Sequence, residues 1–314
     1  MQRYLNMTTI ALLSQSYDMS HLVASIKRAA PELDVVMHGE PRAAHAEIAA
    51  CWDPPRGALA NMKNLRLIHS IAAGVDNILS DPALPVLPLC RVVDPQHARG
   101  MSEFVTWGVL HFYRQLDLVM SNQRRSHWFR PDQTHPSQCT IGIMGLGEIG
   151  SRVALDLHRP GFSVRGWARQ PRRLPGVDIF ESDAGLQPFL AGTDILVCLL
   201  PLTNETRNIL CADTFRRLPY GAKLIHVGRG EHLVVPDLVD ALTSRRLGGA
   251  IVDVFPAEPL PGDDPLWNTP NLIVTPHMAS VASSDTIGLQ VAQNVQRLLD
   301  GEPLQNVVDI TRGY

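Results

Sequence analysis

Residues Thr140 to Gly150 read Thr-Ile-Gly-Ile-Met-Gly-Leu-Gly-Glu-Ile-Gly. This is an apolar strand, Ile141 to Met144, running directly into a Gly-x-Gly-x-x-Gly turn, with a helix pattern after it (Val153, Leu155, Leu157) that stops before Pro160. That order strongly limits the fold. Gly145 permits a tight turn, Gly147 lets backbone approach a pyrophosphate, and Gly150 lets the helix pack close to its strand. The helix start then points unpaired N–H groups at the anion. The turn residues Gly145, Leu146, Gly147, Glu148, Ile149 and Gly150 are the candidate dinucleotide loop.

The next strand, Ser163 to Trp167, bears on which dinucleotide. A chain selecting NAD carries Asp or Glu roughly 20 residues past the glycines, on the ribose hydroxyls. Here the strand ends in Ala168, followed by Arg169, Gln170, Pro171, Arg172 and Arg173. Removing the carboxylate removes repulsion of a 2′-phosphate, and guanidinium groups bind phosphate through paired charge-assisted bonds. NADPH/NADP+ is the expected cofactor, held at its phosphate by Arg169 and, of the remaining arginines, Arg172.

At 314 residues the chain is long enough for two domains. A formal charge of −3 disfavours general nucleic-acid binding. Five scattered cysteines form no C-x-x-C, so buried thiols are expected rather than disulfides or a metal knuckle. No apolar run reaches membrane-spanning length. Thr9 to Leu13 is too short for a signal core, so a cytoplasmic protein is expected, with Met7 an alternative start.

Strand and helix patterns alternate along the whole chain. Strands are expected at 10–13, 33–37, 47–51, 65–70 and 90–93, with helices at 19–30 and 57–62. The spacing predicts a helix over 102–115 and a polar stretch over 121–138. A second unit follows, with strands at 141–144, 163–167, 194–199, 223–227, 250–254 and 272–274 and a helix at 235–245. A last helix spans 285–300. Alternation of this kind implies α/β architecture with mostly parallel sheets.

Three motifs fall at or just after strand ends of the second unit: Val227-Gly228-Arg229-Gly230, Asp253-Val254-Phe255-Pro256-Ala257-Glu258-Pro259, and Thr275-Pro276-His277. Ligand sites in open α/β sheets lie outside the carboxyl ends of the strands. Reducing a ketone by hydride builds negative charge on its oxygen, which needs a cation nearby and an acid to deliver a proton. Arg229 suits the first role and His277 the second. A carboxylate at Glu258 would orient the imidazole and stabilise its cation.

Taken in order, these motifs resemble the D-isomer-specific 2-hydroxyacid dehydrogenase family over nearly the full chain. Trp167-Ala168-Arg169, Leu199-Leu200-Pro201 with Thr203-x-x-Thr206, Pro265-Leu266-Trp267 and the terminal Thr311-Arg312-Gly313-Tyr314 are most similar to its bacterial glyoxylate/hydroxypyruvate reductase A branch. The resemblance implies Arg229, Glu258 and His277 as the catalytic trio. It implies Asp253 at the nicotinamide carboxamide, Leu200, Pro201, Thr206, Val227 and Gly228 along the cofactor, and Met101 near the nicotinamide. It also implies that backbone N–H groups of Ala73, Gly74 and Val75 receive the substrate carboxylate, with Trp52 in the substrate pocket.

The same resemblance implies two Rossmann-like lobes with the active site in the cleft between them. The substrate domain would comprise residues 1–101 and 283–314, and the dinucleotide-binding domain residues 102–282. It further implies a homodimer through the cofactor domain, with the stretch over 121–138 part of the dimer arm and Trp128 either reaching the partner's site or packed locally at the surface. The expected reaction is NADPH-dependent reduction of a small 2-ketoacid, glyoxylate or hydroxypyruvate. Larger substrates such as phenylpyruvate or a 3-phosphoglycerate-like acid, and a corepressor-like binding protein, are the alternatives. Near Trp52 only Arg56 is available to a substrate phosphate, which favours a small uncharged tail. One departure stands out: His226 occupies a position where the family commonly has Asn, and a local backbone bond is its expected role, with a second titrating group near the site as the alternative.

Overall fold

A computed structural model describes residues 8–310. Met7 and the Thr311–Tyr314 motif lie outside the described residues. The chain divides into two compact units. One holds the residues up to His97 and those from Val281; the other is Ala98–Ser280.

The first unit is a five-stranded parallel sheet of β1 (Thr9–Leu13), β2 (Asp34–Met37), β3 (Ile48–Cys51), β4 (Leu67–Ser70) and β5 (Leu89–Cys90), in the order β2-β1-β3-β4-β5. Side chains alternate across a strand, and both faces are covered here. Ile10, Leu12, Ile48 and Ala50 join a core with helix α1 (Ser20–Ala29) and the closing helix α9 (Ser284–Asp300). Ala11, Leu13, Ala49 and Cys51 join another with Leu59, Val75 and Ile78, the last from the short helix α2 (Asp76–Leu79). Buried His69 on β4 ties α9 down: its Nδ1 lies 2.7 Å from the Ser70 carbonyl, and Asn294 Nδ2 lies 3.1 Å from its Nε2. Burial pushes this imidazole down to about 4, so it stays neutral.

The second unit begins in α3 (Pro95–Tyr113), followed by α4 (Leu116–Gln123). Then come β6 (Thr140–Met144), α5 (Glu148–His158), β7 (Ser163–Ala168), β8 (Val177–Glu181), α6 (Ser182–Ala191), β9 (Ile195–Cys198), α7 (Ala212–Arg217), β10 (Ala222–His226), α8 (Val235–Thr243), β11 (Leu247–Val252) and β12 (Leu272–Val274). Its seven parallel strands run β12-β11-β10-β9-β6-β7-β8. The order turns back between β6 and β9, which is where such sheets open a crevice for ligands. Ile141, Ile143, Val197 and Ile225 face Val105, Val109, Val153 and Leu157 on one side. Leu196, Leu224 and Val252 face Phe215, Leu238 and Leu242 on the other.

Several expectations need correction. Residues 57–62 form turns, not a helix, and the strand expected at 90–93 is only Leu89–Cys90. Helix α3 begins seven residues before the expected 102: Asp94 Oδ1 accepts from Gln96 N at 2.9 Å, capping a helix that opens on Pro95. The stretch expected to be polar starts inside α4, which buries none of its residues. The strand β8 and helices α6 and α7 carry no strong periodicity and fall outside the expected elements. All five cysteines are free thiols, four of them buried. Among the described residues, no helix is long and apolar enough to cross a membrane.

Candidate active site

The glycine loop leaves β6 at the switch point. Gly145 has φ +97°, and a Cβ there would meet the Leu199 carbonyl oxygen at 2.8 Å, so the turn excludes other residues. A Cβ on Gly150 would sit 1.8 Å from the Gly145 carbonyl oxygen, so α5 packs against its own strand only because that side chain is absent. Gly147 differs. Its φ is −69°, and a Cβ there would meet nothing within 4 Å. The protein's own packing does not require glycine at 147; an incoming ligand at the start of α5 would. This openness fits a bound pyrophosphate. Glu148 and Ile149 open α5, while Leu146 turns its side chain into the core.

At the end of β7, Ala168 is buried and Trp167 donates its indole N–H to the Ser182 carbonyl at 2.8 Å. Arg169 is exposed and lies 3.4 Å from Glu205, an exposed pair of small energetic value that a phosphate can displace. Arg172 and Arg173 are exposed in the following loop.

Arg229, Glu258 and His277 leave the carboxyl ends of three neighbouring strands, β10, β11 and β12. His277 Nδ1 lies 2.7 Å from Glu258 Oε2, and Phe255 N donates to Glu258 Oε1 at 2.8 Å. Burial alone would raise the Glu258 carboxyl. The bonds from His277 and Phe255, with the charges of His277 and Arg229, outweigh it and hold the group below its ordinary value. The three side chains therefore form one electrostatic unit.

Asp253 underlies this arrangement. Its carboxylate accepts from Thr275 Oγ1 at 2.6 Å, Met278 N at 2.9 Å and Ala279 N at 3.0 Å. The His277 N–H adds bonds to the Asp253 and Thr275 carbonyls. These contacts hold His277 at φ 50°, a left-handed backbone that a non-glycine residue adopts only under such constraint. Thr206 likewise serves the fold. Its Oγ1 donates to the Pro201 carbonyl at 2.8 Å, and Thr203 N donates to it at 2.8 Å, shaping the loop after β9. Leu200 and Val227 are buried, as is Met101 in the core. Gly228 packs against His232.

His226 is fully buried. Burial first, then the neighbouring His232 and Arg229, push its imidazole down to about 3, which removes it as a proton donor. It meets the Arg229 carbonyl at 2.9 Å, the local backbone bond expected of it. Sequence reasoning missed His232, which no motif singled out. Cys198, His226 and His232 cluster within 4.8 Å. Both His232 nitrogens are engaged by Arg229 N and the Pro201 carbonyl, which leaves too few donor atoms for a closed metal site.

In the first unit, Ile71–Asp76 follows β4. Ser70 Oγ accepts from Ala72 N and donates toward the Gly74 carbonyl at 2.9 Å. Among the described residues, no acceptor receives the N–H groups of Ala73, Gly74 or Val75. Three consecutive amides of this kind suit an anion. Trp52 directly follows β3 and packs against that unit's core.

Residues 106–279 match the family described as D-isomer specific 2-hydroxyacid dehydrogenase, NAD binding domain. A D-isomer specific 2-hydroxyacid dehydrogenase from Xanthobacter autotrophicus Py2, solved with NADPH and MES, is 37% identical with a TM-score of 0.92, covering 98% of this chain and 99% of that one. A family protein from Klebsiella pneumoniae 342 is 42% identical with a TM-score of 0.91, covering 96% and 97%. The NADPH-dependent glyoxylate/hydroxypyruvate reductase of Sinorhizobium meliloti, solved with NADP and sulfate, is 34% identical with a TM-score of 0.90, covering 98% and 100%.

Proposed function

Because the chain belongs to the D-isomer-specific 2-hydroxyacid dehydrogenase family, we propose that it reduces a small 2-ketoacid, glyoxylate or hydroxypyruvate, to the 2-hydroxyacid with NADPH. The observation that carries the reading is the 2.7 Å contact between His277 and Glu258 beside Arg229.

The reduced nicotinamide, when bound, supplies the hydride that the carbonyl carbon accepts. The carbonyl π electrons then move to oxygen, where Arg229 offsets the growing charge. His277 Nδ1 is held by Glu258, so Nε2 is the atom that delivers the proton to that oxygen. Glu258 stabilises the cationic ring before transfer and orients it. Asp253 holds the loop that aims the ring. The amides of Ala73, Gly74 and Val75 receive the substrate carboxylate, and Trp52 bounds the substrate tail.

Ala168 in place of an acid, with Arg169 and Arg172 after it, supports NADPH over NADH. The unit Ala98–Ser280 is assigned the cofactor and the other unit the substrate loop. Five free thiols suit a reducing, cytoplasmic compartment. A homodimer through the α3–α4 face is part of the reading. Helix α4 buries nothing, and Trp107, Leu110, Leu116, Leu118 and Met120 are exposed there.

The decisive assay follows NADPH oxidation across a panel of 2-ketoacids. Turnover of glyoxylate or hydroxypyruvate is expected. Preference for phenylpyruvate or a phosphorylated acid would overturn the substrate assignment, and no turnover at all would favour a binding protein.

A further inference from the structure

Arg229 is half-buried, and its guanidinium donates to the Gly228 carbonyl at 2.8 Å. Its placement depends on a backbone gripped from both sides. The Arg229 N–H donates to His232 Nδ1 at 3.0 Å, which requires that nitrogen to be unprotonated. His232 Nε2 therefore carries the proton, and it lies 3.2 Å from the Pro201 carbonyl. On the other side the Arg229 carbonyl, which can only accept, lies 2.9 Å from His226 Nε2. His226 is thus also the Nε2–H tautomer, and its Nδ1 is a buried lone pair with no partner among the described residues. Both rings are fully buried and pack edge to face, with centroids 5.7 Å apart. Gly228 completes the fit: a Cβ there would meet His232 Nδ1 at 2.9 Å.

We propose that His226 and His232 are positioning residues that fix Arg229 for the reaction and couple it to the Pro201–Thr206 loop. The coupling runs through one atom. The Pro201 carbonyl accepts from His232 and also from Thr206 Oγ1, so the loop expected along the cofactor and the arginine expected at the substrate share a partly buried hydrogen-bond chain. Burial opposes a second proton on His226 and lowers its value to about 3, so that ring stays neutral; at His232 the bond accepted from Arg229 N fixes Nδ1 as the unprotonated nitrogen. An imidazole that gained that proton could not accept from Arg229 N. Neither histidine touches substrate in this scheme. The inference rests on the proposed role of Arg229.

Two measurements test it. In uniformly ¹⁵N-labelled wild-type protein saturated with NADPH, imidazole nitrogen shifts should report the neutral Nε2–H tautomer for both histidines. The Nδ1–H form or a cation at neutral pH in either ring would overturn the clamp, whatever the enzyme reduces. In the second, His232→Phe and His226→Leu should lower kcat/KM for glyoxylate by about 10- to 100-fold, the scale of a small misplacement of a catalytic group. NADPH affinity should fall by less than kcat/KM, because the glycine loop is untouched and the Pro201–Thr206 loop loses only the His232 bond while keeping that from Thr206. His232→Gln and His226→Asn, which retain amide donors and acceptors, should recover most of the loss. Equal losses in the amide and apolar variants, or no loss in either, would overturn the proposal; the amide pair serves alone if an apolar variant does not fold. Arg229→Gln separates the two ideas: if it turns over glyoxylate normally, the reading of Arg229 fails while the tautomer result still judges the clamp.

Discussion

His277 Nδ1 and Glu258 Oε2 lie 2.7 Å apart across loops that leave two adjacent parallel strands, β11 and β12. Nothing in the 19 residues separating them in sequence brings them together locally. Strand register does, and Asp253 then holds the His277 loop in its left-handed turn. The pair leaves one imidazole nitrogen available for chemistry, which is the arrangement a positioned acid requires.

Removing that acid should lower kcat without loosening the cofactor. His277→Ala is expected to lose roughly 10²- to 10⁴-fold in kcat for 2-ketoacid reduction, while NADPH still binds at the intact glycine loop. Near-normal kcat in His277→Ala would end the assignment, and His226, buried and neutral, offers no substitute.

Glu258 should link stability to acid. Its carboxyl is held below the ordinary value of 4.5 in the folded protein. Its contribution is therefore complete above that value and shrinks as pH falls through the depressed one. The stability gap between wild type and Glu258→Gln, followed by urea unfolding, should be constant near neutrality and close below about pH 4.5. A gap that widens with acid would contradict the sign.

Cofactor choice should depend on the exposed arginines. One charge-assisted phosphate bond is worth about 1.5–3 kcal/mol, or roughly 10- to 150-fold. NADPH should exceed NADH in kcat/KM by at least the lower figure, and Arg169→Ala should erode the preference mainly through KM. Equal use of both cofactors by wild type would refute this.

Two alanines in the glycine loop should behave differently. Gly150→Ala forces a Cβ to within 1.8 Å of the Gly145 carbonyl oxygen and should destabilise the fold by about 1–3 kcal/mol or more. Gly147→Ala meets nothing in the protein and should cost about 1 kcal/mol or less, yet weaken NADPH binding. Thermal unfolding beside fluorescence titration separates them; a Gly147→Ala protein with unchanged NADPH affinity would remove the phosphate from that loop.

The apolar α3–α4 face should be covered by a second copy. Light scattering should give about twice the 34.6 kDa chain mass for wild type. The double variant Trp107→Glu, Leu118→Glu should fall to a single chain. A monomeric wild type at micromolar concentration would dismiss the dimer.

Much of this was legible because its causes are local. Gly145, Gly147 and Gly150 act within one strand-turn-helix unit, so their spacing alone carries the geometry. The strand over 272–274 matches the structure at both ends, and the last helix at one, because apolar period and breakers coincide there. The early start of α3 also has a local signal, Asp94-Pro95 as cap and first turn, which the apolar period alone does not show. By contrast α4 has no buried stripe, and β8 is an edge strand with one buried residue, so neither shows a period to find.

By itself, then, the sequence determined the glycine turn between the first strand and helix of the second unit, the basic stretch after the second strand, and the identity of the arginine, glutamate and histidine at strand ends. Only the tertiary structure decided which of these meet. The order β12-β11-β10-β9-β6 places three loops side by side, and the bonds to the Arg229 carbonyl and N–H set the tautomers of His226 and His232. The physical reason is range. Backbone geometry over a few residues is written in adjacent side chains, whereas a hydrogen bond such as His232 to Pro201, 31 residues apart, exists only once strands have paired and water has been expelled between them.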